Sequence, residues 1–184
     1  YGGGGSDSIQ ATSNNVVDGG ADNDTIYLNS SNVSITTGSG SDTIRSNHYS
    51  YPSVITDFTA GHGGDIFHLT QLLSNLPSYP GGNPFATGHM RVIQSGADTL
   101  IQVDQDGVSG GGGWFTTATL QGVSLGDLTP FNFAGYGIDG SIETSPSAIP
   151  DSASGDEDTV LSGQVGAIDP DSSTVTFAVD QGPA

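Results

Sequence analysis

The sequence predicts an all-β protein in which a parallel coil of short strands is capped by a small antiparallel β domain with one short helix. Three observations predict it. A glycine-aspartate nonapeptide occurs three times, as Gly2-Gly3-Gly4-Gly5-Ser6-Asp7-Ser8-Ile9, Gly19-Gly20-Ala21-Asp22-Asn23-Asp24-Thr25-Ile26 and Thr37-Gly38-Ser39-Gly40-Ser41-Asp42-Thr43-Ile44. Its aspartates recur after 17 and then 18 residues, so that one turn of the coil takes two nonapeptides. Beyond residue 56 the repeat gives way to β-rich runs and to leucines at helical spacing.

The repeat reads G-G-x-G-x-D-x-U-x, and each residue type in it has a physical task. Glycine permits the positive φ of a tight turn, the turn aims carbonyl oxygens inward, aspartate adds a carboxylate, and the apolar U opens a strand facing the core. Weaker copies lie between, over Ala11 to Val17, Leu28 to Thr36 and Ser46 to Val54. They keep an inward apolar residue (Val17, Ile35, Val54) but replace the acidic turn with Asn14-Asn15, Ser31-Asn32 and an irregular stretch around His48. The aspartate turns therefore stack on one edge and the Asn and Ser turns on the other. An all-oxygen ligand set of this kind suits calcium, with at least two ions between three successive turns and none on the opposite edge. The candidate ligands are the carboxylates of Asp7, Asp24 and Asp42, with the backbone carbonyls of Gly2, Gly3, Gly4 and Gly5, of Gly19, Gly20, Ala21 and Asp22, and of Thr37, Gly38, Ser39 and Gly40.

On these motifs the chain resembles the repeats-in-toxin (RTX) family of hemolysin-type calcium-binding proteins. The likeness extends past the repeats. Ile55-Thr56-Asp57-Phe58 followed by Gly61-His62-Gly63-Gly64-Asp65-Ile66 resembles the segment that closes such rolls, and Gly96-Ala97-Asp98 through Asp104-Gln105-Asp106-Gly107 resembles the hairpin and acidic turn of the closing domain. The resemblance implies a calcium-binding parallel β-roll, export as an unfolded chain by type I secretion, and folding outside the cell. Two departures stand out: Asp22 takes the place of the third glycine of the second copy, and Thr37 that of the first glycine of the third. Asp57 and Asp65 flank a Gly-rich turn and are candidates either for a further ion or for satisfying turn amides. Asp104 and Asp106 alternate before Gly107 as at the start of a calcium loop, but the distal Glu of an EF-hand is missing, so a plain hairpin end is the other reading.

Composition narrows the partners. Two Lys and Arg against twenty Asp and Glu give the 184-residue chain a net charge of −18, which repels nucleic acid and anionic lipid and suits a binder of divalent cations. Periodic glycines, seven Phe and six Tyr argue against a disordered acidic tail for most of the length. There is no cysteine, and a calcium-stapled bacterial exoprotein needs none. No apolar run reaches the roughly 18 residues of a membrane span, so no membrane insertion is expected. The start at Tyr1-Gly2 resembles neither a signal peptide nor an initiation site, and the chain reads as an internal piece of something longer.

Taken in order, residues 1–56 read as the coil, with strands of about three residues around Ile9, Val17, Ile26, Ile35 and Ile44. Residues 57–143 read as the closing domain. Within it Leu69, Leu72, Leu73 and Leu76 lie at helical spacing, with Thr70 as cap and Pro77 as stop. Met90 to Gln94 and Leu100 to Asp104 form a hairpin, Trp114 to Gln121 a further strand, and Ile138 to Ile142 an edge strand. Residues 144–155 read as a linker. Residues 156–184 resemble the opening strands of cadherin-like or immunoglobulin-like repeats of bacterial adhesins, cut short. Too short to bury Val160, Val165, Val175, Phe177 and Val179 alone, they are expected to lend strands to a neighbouring sheet, in this chain or in a second copy, giving self-association.

No catalytic constellation is present in the segment. His48, His62, His68 and His89 are scattered, and neither H-E-x-x-H nor G-x-S-x-G occurs. Asp169-Pro170 is an acid-labile type of bond at which some calcium-dependent relatives cleave themselves, but Asp-Pro-Asp also suits an inter-strand turn, which is the reading taken here. The expectation is a calcium-binding structural module of a large secreted or cell-surface adhesin-like protein. The alternative is the carboxy-terminal secretion and folding module of an exoenzyme such as a protease, a lipase or a polysaccharide-modifying enzyme. The adhesin reading is preferred because a linker and a new repeat follow the closing domain.

Overall fold

The computed structural model describes residues 1–12, 15–50 and 52–142, together with the backbone of Ser147–Ile149 and Gly166–Ile168. It divides into two compact units, Tyr1–Ile142 and Glu143–Ala184.

In the first unit the chain winds through β1 (Gly3–Gly4), β2 (Ser8–Ala11), β3 (Val16–Ala21), β4 (Thr25–Leu28), β5 (Val33–Ser39), β6 (Thr43–Ser46), β7 (Ser53–Ile55) and β8 (Ile66–His68). Successive strands alternate between two parallel sheets, β1, β3, β5 and β7 in one and β2, β4, β6 and β8 in the other. The repeat causes this directly. Equal spacing puts like residues in register, so Ile9, Ile26, Ile44 and Phe67 stack along one sheet, and Val17, Ile35 and Ile55 along the other. Alternation along each strand sends these side chains inward, where Ile26, Ile35, Ile44, Ile55 and Phe67 are fully buried. Ile9, on the first coil, is only half-buried.

Val54 was expected to face inward, but the structure turns it out. It is 39% exposed, and Ile55 takes the place above Ile35. The cause is extra length in the stretch around His48. Ile55 pairs with Ile35 at a longer spacing than the repeat, and in a strand a shift of one residue exchanges the two faces.

After β8 a single turn of helix α1 (Thr70–Ser74) buries Leu72 and Leu73, with Leu69 and Leu76 buried beside it. Thr70 is not its cap, as the leucine pattern suggested: Leu69 holds that position and no side chain caps the helix. Strands β9 (Met90–Ser95) and β10 (Asp98–Val103) form the expected hairpin, with Ser95 opposite Asp98 and Gly96 at φ 66° in the two-residue loop. β11 (Phe115–Leu120) pairs antiparallel with β10. It also pairs parallel with β7, so the closing strands do not make a separate sheet but extend one sheet of the coil to seven strands. Between Ile138 and Ile142 there is no strand, only an isolated bridge from Tyr136 to Ile142.

In the second unit β12 (Ser147–Ile149) pairs antiparallel with β13 (Gly166–Ile168). A strand therefore lies within the stretch read as linker, and the partner of β13 is β12 of the same unit. The cover expected for Val160, Val165, Val175, Phe177 and Val179, and the Asp169-Pro170 turn, lie outside the described residues.

The shifted register gives a direct check. Ile55→Ala should lower the unfolding free energy by about 2–5 kcal/mol. Val54→Thr should change it by less than about 0.5 kcal/mol. Urea unfolding of both variants beside the parent would reverse this order if Val54 were the buried residue.

Candidate metal site on the aspartate edge

The parallel register that stacks the isoleucines also stacks the acidic turns. Asp7, Asp24 and Asp42 form one column, and Asp65 continues it on the fourth coil. Each rung is made the same way. The Asp7 amide donates to Asp24 Oδ1 at 2.7 Å, the Asp24 amide to Asp42 Oδ1 at 2.7 Å, and the Asp42 amide to Asp65 Oδ1 at 2.9 Å. Burial deepens along the column: Asp7 is half-buried, whereas Asp24 and Asp42 are 2% and 0% exposed.

The other carboxylate oxygens divide the column. Asp65 Oδ2 accepts from the Thr59 amide at 2.9 Å and from the Thr37 hydroxyl at 3.0 Å. The buried Oδ2 atoms of Asp7, Asp24 and Asp42 have no hydrogen-bond partner. An ionised oxygen buried without a partner costs several kcal/mol, so three in a row are a demand for cations. Neither basic side chain meets that demand: Arg45 lies 3.3 Å from His68 Nδ1, and Arg91 bonds Gln102 and stacks over Trp114. Among the described residues no group of three or more His, Asp or Glu side chains converges as a metal cage. A cation here would draw its remaining ligands from the main chain.

The glycines make that possible. A Cβ added to Gly2 would stand 2.2 Å from the Gly19 carbonyl oxygen and 2.9 Å from Asp7 Oδ2. One added to Gly19 would stand 2.2 Å from the Thr37 carbonyl oxygen and 2.7 Å from Asp24 Oδ2. At both coils a carboxylate oxygen of one turn and a carbonyl oxygen of the next face the same bare glycine. Hard oxygens from carboxylate and carbonyl are the donors calcium takes, so the residues present fit the ion. Asp22 keeps the turn intact despite replacing glycine. Its φ of 74° is left-handed, like the 87° of Gly5, and its carboxylate accepts from the Gly5 amide at 2.9 Å. Gly3, Gly4, Gly20, Ala21, Gly38 and Ser39 lie in or beside the paired ends of β1, β3 and β5 and carry the chain into this edge, where Gly40 follows.

The opposite edge is built from amides. Asn29 donates to Gln10 Oε1, Asn47 to Asn29 Oδ1 at 3.1 Å, and Asn75 to the Asn47 carbonyl at 2.7 Å. Asn15 bonds Thr12 at that edge, and Asn14 lies outside the described residues.

Asp57 and Asp65 act on amides. Asp57 Oδ1 accepts from the Thr37 amide at 2.7 Å and Oδ2 from the Gly38 amide at 2.9 Å, replacing the strand that β7 does not continue. Together with the bonds of Asp65 this engages all four oxygens of the two side chains. Sequence reasoning missed Asn132, which is fully buried at the same end. Its Nδ2 donates to the carbonyls of Asp65 at 2.8 Å and Gly61 at 3.2 Å. Its Oδ1 accepts from the Gly61 amide at 2.9 Å. The only local signal for it is Thr129-Pro130 ahead of the 3₁₀ turn Pro130–Phe133.

Asp104 and Asp106 are brought together elsewhere, beside an open groove of about 320 Å³ lined also by Pro77, Ser78, Gln105, Gly112, Gly113 and Phe115. A hydrogen bond between the two carboxyls raises the pKa of Asp104 and lowers that of Asp106. The Asp106 amide donates to Asp104 Oδ1 and the Gly112 amide to Asp106 Oδ2, each at 3.3 Å. His62 rests against Phe131, with ring centroids 4.9 Å apart.

Burial pushes Asp42 up to about 6 against the opposing hydrogen bond from the Asp24 amide, and the carboxylates of Asp65, Asp24 and Asp57 add to the rise. A carboxyl raised in the fold stabilises it fully below its unfolded pKa and loses that contribution as pH climbs through the folded value. In chelator, β-sheet circular dichroism should therefore grow as pH falls from 7 through about 6, and Asp42→Asn should flatten the change. A signal that is constant or shrinks on acidification would contradict the burial of this acid.

No protein-family profile matches the chain, and no curated protein matches it. Among solved structures it is similar to the solution structure of the AlgE6R3 subunit from the Azotobacter vinelandii mannuronan C5-epimerase, with a TM-score of 0.42 and 17% identity over 84% of this chain and 92% of that one.

Proposed function

We propose that residues 1–142 form a calcium-binding β-roll of the repeats-in-toxin type with its closing segment, a structural module of a large secreted or cell-surface adhesin-like protein that folds when it meets calcium outside the cell. The observation that carries this reading is the column of buried, unpartnered Oδ2 atoms on Asp7, Asp24 and Asp42, two of them facing glycines that also meet a carbonyl oxygen of the next coil. The nonapeptide that places them is the one on which the family resemblance rests.

The physical role follows from charge. A chain of net charge −18 that lines up its carboxylates in one buried column repels itself, and single apolar stripes do not offset both that repulsion and backbone ordering. Each bound ion adds roughly 2.7 kcal/mol at a hundredfold excess over its dissociation constant, so two ions decide whether the coil forms. The module is proposed to have no catalytic step of its own. A second compact unit after residue 142 with its own strand pair supports a place among further domains more than a place as a terminal secretion signal. No helix among the described residues is long and apolar enough to cross a membrane.

Calcium titration followed by circular dichroism tests the reading. The coil should be unfolded in chelator at pH 7 and gain β structure cooperatively with calcium. Magnesium at equal concentration should do far less, because it demands a tighter octahedral shell. Full β structure in chelator at neutral pH would sink the proposal.

A further inference from the structure

The three inter-coil gaps along the aspartate column are not equivalent. In the first, Gly2 leaves the Gly19 carbonyl oxygen and Asp7 Oδ2 facing a position with no side chain, and in the second, Gly19 does the same for the Thr37 carbonyl oxygen and Asp24 Oδ2. In the third, Asp42 Oδ2 is again without a partner, but the place of glycine is taken by Thr37, which is fully buried. Its hydroxyl lies 3.0 Å from Asp57 Oδ1 and 3.0 Å from Asp65 Oδ2, and its amide bonds Asp57 at 2.7 Å. The side chain thus occupies the level at which the earlier coils are bare, and its hydroxyl supplies a proton donor between two acids.

We infer that Thr37 ends the ion column: the chain takes calcium in the two gaps bared by Gly2 and Gly19, and in the third gap the threonine side chain stands where an ion would otherwise sit. The inference rests on the calcium reading above and adds the number of ions and the residue that sets it. Asp57 and Asp65 become the ligands of a hydroxyl and of amides, and the coil is closed at that end by protein instead of by metal. Thr37 is suited to the task for two reasons. Its φ is not left-handed, so a β-branched residue fits, and its hydroxyl can donate where a third carboxylate would only add repulsion.

The test counts ions on the full 184-residue chain by calorimetric titration with calcium chloride, after chelator has been removed. The parent should bind two ions and Thr37→Ser should also bind two, whereas Thr37→Gly should bind three. Because Thr37→Gly removes buried hydrogen bonds and costs stability, a further variant keeps the count decisive: Asp24→Asn should bind one ion fewer than the parent. Three ions on the parent, or an unchanged count in folded Thr37→Gly, would each overturn the role of Thr37 while leaving calcium binding in place. No binding by the parent would instead overturn the calcium reading itself and the inference with it.

Discussion

The bond from a backbone amide on one coil to an aspartate Oδ1 on the next is the contact on which the remaining structure depends. It sets the vertical register of the coils, because the Asp7, Asp24 and Asp42 amides each have one acceptor at one height. Once those heights are fixed, the isoleucines of β2, β4 and β6 must stack and the bare glycines must face the carbonyls of the following turn. The same bond commits one oxygen of each carboxylate and leaves the other pointing into a closed space. Structure and ligand demand are thus two halves of one side chain, and the acidity that makes the chain costly to fold is what makes it responsive to a cation.

A parallel coil exposes an unpaired end, and the chain closes this one with side chains that imitate a further coil. Asp57 accepts the amides of Thr37 and Gly38, Asp65 accepts that of Asp42, and Asn132 supplies the donor that the Asp65 carbonyl would otherwise lack. Beyond β7 the sheet is continued by β11, while side chains satisfy the end of β5 that β7 leaves uncovered and the acidic turn ahead of β8. The need for the two devices is general: buried main-chain groups at a sheet edge must find partners.

Much of this was legible in the sequence wherever period and composition carry the information. Equal spacing of Asp7, Asp24 and Asp42 fixes which residues share a column, and apolar periodicity fixes Ile26, Ile35 and Ile44 as core. Legibility fails where the period breaks. Around His48 the added residues move Ile55 into the place assigned to Val54, and nothing in a local pattern counts them. It fails again for contacts distant in sequence. That β11 would pair with β7, or that Asn132 would reach Gly61 across 71 residues, depends on how the closing segment lies over the coil. The exchange of Gly for Thr at position 37 was visible as a departure from the motif, but its meaning needed the side chains of Asp57 and Asp65 beside it.

The amide-to-carboxylate bonds all run the same way along the stack, which gives the molecule a polarity. Each aspartate receives from the coil before it and gives to the coil after it, and the series is anchored at Asp65, whose own oxygens are filled from its turn. At the other end the Asp7 amide gives to Asp24, and the buried Oδ2 of Asp7 has no hydrogen-bond partner. At the anchored end both oxygens of Asp65 are engaged. Unpartnered carboxylate oxygen in the column is thus confined to its first three aspartates, so the charge that calls for cations is graded along the stack.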